Sequence, residues 1–272
     1  MDWLKDTVPS PFGSIITLHW AAANVAEPQP DVELESAEDE LGAVLWNSNS
    51  AVLGFLNTEA QKQFPKCKPA QPLEGKSVLE LGAGVGILGV GLAMAGGRSL
   101  ITDLKELVPL MRRNIKLNDQ EAQLLCSAEV LRWGDKNLSS KVLDWVKAGE
   151  QLTWIVMCDA LYGNKKDWQR LLHDVKRLSC IGAQRASDRP LVYNFCEQRV
   201  EGVERDFVAM LEEQKSDWEV EHFPLEEKSG LGIAILATKF RYIGQHVAVE
   251  ETFADDSRKQ ESRKRPRSPD AE

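Results

Sequence analysis

The sequence predicts an α/β fold: a Rossmann-like sheet of seven strands, mostly parallel and closed by a C-terminal antiparallel hairpin. Three observations carry this expectation. The run Val78-Leu79-Glu80-Leu81 ends in the glycine-rich turn Gly82-Ala83-Gly84-Val85-Gly86, and Leu100-Ile101-Thr102-Asp103 follows about twenty residues later. From Lys76 onward, apolar runs with strand character alternate with amphipathic stretches of helical period, the pattern of βαβαβ units. The last two apolar runs, Trp218–Leu225 and Leu231–Phe240, lie too close together for a crossover helix and have Gly230 and Gly232 between them, so they pair as a hairpin.

In chain order, residues 1–40 are expected to be an annex. Phe12–Trp20 reads as part of a β-ribbon, and residues 27–40 hold seven acidic residues, two prolines and no basic residue, a solvated loop. A domain over 41–245 follows. Leu45-Trp46-Asn47-Ser48 opens a helical pattern with Val52, Leu53, Leu56 and Phe64 on its apolar side and Asn47 or Ser48 as N-cap. The spacing then predicts strand 77–81, helix 87–95, strand 98–102, helix 104–117 and strand 124–131. Asp103 and Glu106 are placed as a capping box, and Pro109 is tolerable only near the first turn. Thr153–Cys158 is the fourth strand, ending at Asp159-Ala160-Leu161-Tyr162. A helix capped at Asn164 carries Trp168, Leu171, Leu172, Val175 and Leu178 on one face. Leu191–Cys196 is the fifth strand, and a helix spans 201–213. Residues 246–272 are polar and charged, a composition that predicts disorder, and Arg263-Lys264-Arg265-Pro266-Arg267 within them has the make-up of a nuclear import signal.

With 272 residues and 43% hydrophobic composition, the chain suits one large α/β domain with short appendages. A net charge of −9 argues against a surface built for phosphate backbones, so a protein partner is expected and no nucleic acid. Five scattered cysteines without a C-x-x-C pair read as reduced thiols rather than a disulfide frame or a metal site. No secretory signal opens the chain. The uncharged stretch 81–97 holds seven glycines, which suits a loop and helix rather than a membrane span. The expectation is a monomer in the cytoplasm, with the basic tail extending that expectation to the nucleus.

The glycine turn presents backbone N–H groups at a strand end where no side chain blocks a ligand. Two templates overlap there. Gly84-Val85-Gly86-Ile87-Leu88-Gly89 fits G-x-G-x-x-G, the dinucleotide pattern, whereas Glu80-x-Gly82-x-Gly84-x-Gly86 adds a carboxylate just ahead of the first glycine. A pyrophosphate is repelled by that carboxylate; the sulfonium and ammonium of S-adenosylmethionine are attracted by it. The sign of the charge selects S-adenosylmethionine.

With these residues placed, the sequence resembles the seven-β-strand methyltransferases, and more narrowly the family-16 protein-lysine methyltransferases, which modify chaperones, AAA ATPases and elongation factors. The matching stretches are Leu45-Trp46, Val78–Gly89, Ile101-Thr102-Asp103 with Asn114 and Asn118, Trp133-Gly134, and Asp159-Ala160-Leu161-Tyr162. Asn194–Arg199 is similar to the strand-five end of the valosin-containing-protein lysine methyltransferase, and Thr102–Asn118 is similar to that enzyme and to a fungal elongation-factor lysine methyltransferase. The resemblance implies that Gly82, Ala83 and Gly84 line the amino-acid portion of the cofactor and that Asp103 holds the ribose. It places Trp133 against the adenine and Trp46 over the methionine end. Cys158, where the family more often has Ala, would contact the cofactor through its backbone.

Asp159 and Tyr162 then stand where a lysine would arrive, the carboxylate to orient the amine and the phenol ring as a wall for a cation. Phe195, Glu197 and Arg199 are candidates for the substrate rim. Rival expectations are a nucleic-acid or small-molecule methyltransferase, a nicotinamide-dependent oxidoreductase, and a binding module that keeps the fold without catalysis. The base-methylating pattern Asp/Asn-Pro-Pro-aromatic is replaced here by Asp159-Ala160-Leu161-Tyr162.

Overall fold

A computed structural model describes residues 3–12, 15–21, 42–149, 151–161, 165–199 and 202–247. The acidic run 27–40, Tyr162, Asn164 and the tail beyond 247 lie outside the described residues.

Nine strands and seven α-helices are described. β1 (Trp3–Pro9) and β2 (Ile15–Ala21) form an antiparallel ribbon. The remaining order is α1 (Asn49–Gln63), β3 (Ser77–Leu81), α2 (Ile87–Met94), β4 (Arg98–Asp103), α3 (Val108–Lys116), α4 (Gln120–Leu125), β5 (Cys126–Val130), α5 (Ser140–Ala148), β6 (Leu152–Cys158), α6 (Lys165–Cys180), β7 (Leu191–Glu197), α7 (Val203–Glu212), β8 (Trp218–Pro224) and β9 (Ile235–Tyr242).

The seven-stranded sheet runs β5-β4-β3-β6-β7-β9-β8. β5, β4, β3, β6 and β7 are parallel, and β9 pairs antiparallel with both β7 and β8. The expected fold class is what is observed. Strands β3, β4, β6 and β7 are buried over most of their length, as a sheet covered on both faces requires. One apolar layer holds α1, α2, the inner face of α3 and, from β2, Ile16 and Leu18; the other holds α5, α6 and α7. The chain winds outward from β3 to β5, then restarts at β6 on the other side of β3. The C-terminal ends of β3 and β6 therefore flank the crevice where such sheets take ligands.

Several local expectations are corrected. The helix expected over 104–117 begins at Val108, with Pro109 in its first turn; proline lacks the N–H that an earlier start would need. No capping box forms. Asp103 Oδ1 instead accepts the N–H of Leu104 (2.8 Å), and Oδ2 accepts that of Gly84 (2.7 Å). The strand expected from 124 begins at Cys126, because α4 precedes it, capped by Asp119 accepting from Ala122 N. At α1, Ser48 takes the N-cap position but its hydroxyl makes no cap bond.

The ribbon is fastened to the domain by amide side chains. Asn114 Oδ1 accepts from His19 N (2.7 Å), while its Nδ2 donates to His19 O (3.0 Å) and Val85 O (2.9 Å). Asn118 treats Thr17 the same way, Oδ1 accepting from its N and Nδ2 donating to its O, each at 2.8 Å. Two buried asparagines thus act as a surrogate strand edge for β2, and Asn114 ties that edge to the glycine turn. Asn114→Ala is expected to cost about 2 kcal/mol or more, the sum of several net hydrogen bonds and the groups left unpaired. Urea unfolding measures it. A loss no larger than that of an exposed substitution would show that the ribbon is held by its apolar contacts alone.

Candidate active site

The crevice contains a cleft of about 400 Å³ at the C-terminal ends of the central strands. Its walls include Trp46, Glu80, Gly82, Ala83, Gly84, Ile87, Asp103, Cys158, Asp159, Leu161, Glu197 and Arg199. Ten of these or their immediate neighbours come from four strand ends that are far apart in sequence, which is what the switch point brings together.

On one side lies the glycine turn. Gly84 has φ +54°, and a Cβ there would stand 2.7 Å from the backbone O of Gly42, so only glycine lets the two segments meet. Asp103, buried at the end of β4, accepts the Gly84 N–H and anchors the turn. Asp103 also lines the cleft, and its carboxylate is an acceptor in that wall. Gly86 is not among the lining residues; it is the left-handed N-cap of α2.

Glu80 lines the cleft but is not a free carboxylate. It is fully buried, its Oε2 accepts from Gly89 N (2.8 Å) in the first turn of α2, and burial pushes its pKa up to about 8. The Gly89 N–H opposes that rise and the Asp103 charge adds to it. The attraction to a cation expected from the sequence therefore comes from a carboxyl that is mostly protonated at neutral pH.

Trp133 is not among the lining residues. Its ring packs on the glycine turn, with Cζ2 3.2 Å from where a Cβ on Gly82 would be. Its loop is pinned from α6 by a pair that sequence reasoning missed. Asp174 Oδ2 accepts from Gly134 N (2.7 Å), and the buried Arg177 donates to Asp135 O, Lys136 O and Asp174 Oδ1. Burial holds the Asp174 carboxyl above its ordinary pKa, against the Gly134 N–H and the Arg177 charge. An i, i+3 Asp–Arg pair on a helix reads as a surface pair in sequence; nothing there says that both are buried.

On the other side stands Asp159. It has φ +51°, the one non-glycine residue in the left-handed region among the described residues. Such a conformation costs on the order of 1–3 kcal/mol and is concentrated at functional sites. Its N–H donates to Phe195 O (2.9 Å). Oδ1 accepts from Glu197 N (2.8 Å) and pairs with Arg199 Nη2 (3.0 Å); Oδ2 accepts from Ser48 Oγ (2.5 Å). Ser48 Oγ also lies 3.4 Å from Cys158 Sγ, whose thiol pKa is raised well above the ordinary value, by burial first and by the Asp159 charge second. Arg199 Nε pairs with Glu197 Oε2 (3.0 Å), and the guanidinium sits 4.0 Å from the Trp46 ring centre. Phe195, expected at the rim, is fully buried against Phe55 and Tyr193. Phe195 and Glu197 share a face of β7, and position along the strand separates them: Phe195 lies within the sheet, while Glu197 at its end and Arg199 beyond it line the cleft.

Among the described residues no helix is long and apolar enough to cross a membrane, and no group of His, Cys, Asp or Glu is placed to hold a metal.

A family model described as "Lysine methyltransferase" matches residues 27–214. Among curated proteins, the chain is 30% identical over 142 residues to the protein-lysine methyltransferase METTL21E of Mus musculus, a match covering 50% of this chain and 54% of that one. It is 36% identical over 67 residues to the protein-lysine N-methyltransferase EFM6 of Saccharomyces cerevisiae, covering 22% of this chain and 26% of that one. The chain spans about half the length of the first curated relatives it matches. Among solved structures it aligns with the N-terminal domain of human METTL16 in complex with SAH, at 12% identity and TM-score 0.47, covering 72% of this chain and 70% of that one.

Glu80 gives the site a pH signature. The folded protein keeps a proton on Glu80 up to about pH 8, whereas the unfolded chain releases it near the ordinary value of 4.5. Across that interval the native state binds more protons, so this group's contribution to stability falls as pH rises. Glu80→Gln keeps an acceptor for Gly89 and is expected to flatten that decline in a series of thermal melts. An unchanged slope would assign the titration to another group. By the family model that matches residues 27–214, more than half of its length, the chain belongs to the lysine methyltransferase family.

Proposed function

We propose that the protein transfers a methyl group from S-adenosylmethionine to a lysine side chain of a protein substrate, such as an elongation factor, a chaperone or an AAA ATPase. The observation that carries this reading is the pairing, across one cleft, of a glycine turn anchored by Asp103 with the Asp159–Glu197 carboxylates facing Trp46. Membership of the lysine methyltransferase family supports it.

The residues fit the donor. The Gly82–Gly84 bend lets a ligand approach the backbone closely, and the Asp103 carboxylate in the cleft wall is an acceptor suited to ribose hydroxyls. Trp133 packs against the bend at Gly82. When bound, S-adenosylmethionine supplies an electrophilic methyl carbon on a sulfonium, which leaves as a neutral thioether.

What the chain must supply is alignment of a neutral amine. Free lysine has a pKa of about 10.4, so roughly one side chain in a thousand or fewer is neutral at pH 7. Burial in a narrow cleft beside a second cation lowers that pKa, and the proton leaves to water after the side chain is seated and before transfer. Asp159, held by Ser48 and the Glu197 N–H, then offers a fixed acceptor that orients the amine so that its lone pair points along one line. Trp46 walls the approach.

The test uses the full chain with radiolabelled S-adenosylmethionine and an extract of cells depleted of methylation. Label is expected in a protein band, as methylated lysine. Cofactor binding with no incorporation into any protein would mark a binding module, and uptake of a nicotinamide dinucleotide in its place would overturn the reading. Asp103→Ala is expected to weaken cofactor binding at least tenfold, through loss of the hydroxyl contact and of the Gly84 anchor. Asp159→Ala is expected to leave that binding nearly intact while abolishing transfer. Calorimetry and label incorporation separate the two, and full activity of Asp159→Ala would remove that residue from the mechanism.

A further inference from the structure

The role assigned to Asp159 meets an obstacle in its own surroundings: both of its oxygens are already taken. Oδ2 holds Ser48 and Oδ1 holds the Glu197 N–H together with Arg199. For an amine to be received there, one partner must leave. The Glu197 N–H belongs to strand β7 and cannot, and Ser48 is fully buried. Arg199 differs. Its side chain is 30% exposed, whereas those of Asp159 and Glu197 are 2% and 1% exposed.

The seat that the guanidinium occupies is a cation site. Two carboxylates from adjacent strand ends meet it, at 3.0 Å from Asp159 Oδ1 and 3.0 Å from Glu197 Oε2, and the Trp46 face lies 4.0 Å away. It is also incompletely satisfied. Glu197 lines the cleft, its side chain is buried, and its Oε1 has no hydrogen-bond partner among the described residues. A buried carboxylate oxygen without a donor is costly. The planar guanidinium engages one oxygen of each acid; a compact nitrogen with up to three N–H donors reaches acceptors that the fork leaves unmet.

We propose that Arg199 is a resident cation holding the seat of the substrate lysine, and that the incoming side chain displaces it, taking Asp159 Oδ1 and Glu197 as acceptors with Trp46 as its wall. Glu197 is thereby a substrate-binding residue, and Arg199 a positioning residue that keeps the two acids in place until the substrate arrives. The exchange is of one cation for another. It leaves the charge of the site unchanged, so the lysine enters without a net desolvation of the acids. A side chain that carries no positive charge gains no such exchange, which makes the device selective for lysine over neutral nucleophiles of similar length.

This inference rests on the lysine-methylating reading, and its test is separable from it. The probe is n-butylammonium, a stand-in for the lysine side chain, titrated calorimetrically into the full chain saturated with S-adenosylhomocysteine. Glu197→Gln is expected to weaken binding of the probe about fivefold, and Arg199→Gln to strengthen it by about the same factor, the scale of one partly exposed ion pair gained or lost. Arg199→Lys, which retains a competing cation, is expected to stay near the wild type. S-adenosylhomocysteine affinity should be unchanged throughout, and it reports folding and the cofactor half of the site independently. A merely structural Arg199 would give the opposite sign, since losing it would disorder the acids and weaken the probe. Unchanged or weakened binding in Arg199→Gln therefore overturns the proposal, as does equal binding in Glu197→Gln and wild type. A second measurement needs no variant: the Arg199 Nε–H resonance, sheltered by Glu197, should exchange away as n-butylammonium is added, and its persistence at saturation would also overturn the proposal. Failure of both measurements with S-adenosylhomocysteine still bound would sink the displacement alone; methyl incorporation in extract decides the parent reading.

Discussion

Both walls of the cleft depend on a buried aspartate at a strand end that accepts a backbone N–H from the segment opposite. Asp103 at the end of β4 takes Gly84 N, and Asp159 just beyond β6 takes Glu197 N. Hydrogen bonds to a charged acceptor are worth about 1.5–3 kcal/mol each, more than most neutral ones, and here they act where the sheet ladder has run out. A parallel sheet leaves its terminal N–H and C=O groups unpaired at the edge of a crevice. These two carboxylates convert that deficit into a fixed rim. The left-handed backbone of Asp159 follows from the same requirement: the chain must turn sharply after Cys158 for the carboxylate to face back toward β7.

The fold was legible because its signal is repeated. Alternating apolar periods recur five times before the hairpin, so an error of a few residues in any one element leaves the topology unchanged. The local errors have local causes. Asp103 and Glu106 fit a capping box by spacing, yet Pro109 delays the helix and frees Asp103 to reach across to the glycine turn. α4 is only six residues long, too short for its period to stand out from the strand that follows. Ser48 occupies a helix N-cap, and no spacing rule could tell that its hydroxyl bonds to a residue 111 positions away.

The site was legible in its glycines and acids but not in its electrostatics. By charge sign in water, Glu80 reads as a carboxylate that welcomes a cation. Inside the sheet, burial outweighs the Gly89 hydrogen bond and the group holds its proton to about pH 8. The sulfonium reading survives this in altered form. A cation placed in the cleft favours ionisation of Glu80, so the residue responds to the ligand rather than advertising for it. The same blindness to burial hid Asp174 and Arg177, which fix the Trp133 loop and read in sequence as an exposed helix pair.

The two halves of the cleft are also stabilised by different parts of the chain. The β3–β4 half is closed upon itself: turn, Asp103, α2 and Asn114 form one connected set of short-range bonds. The β7 half is not. Beyond Glu197 the chain leaves the ladder, and it is Gln198 N donating to Ala234 O, at the start of β9, that holds the Glu197–Arg199 segment over the cleft. The antiparallel hairpin, added after the parallel sheet is complete, therefore positions the guanidinium and the acid that line this side of the cleft. The family match ends at residue 214, before β8 begins. A change in β8 or β9 would reach Glu197 and Arg199 before the glycine turn, because β9 adjoins β7 and not β3.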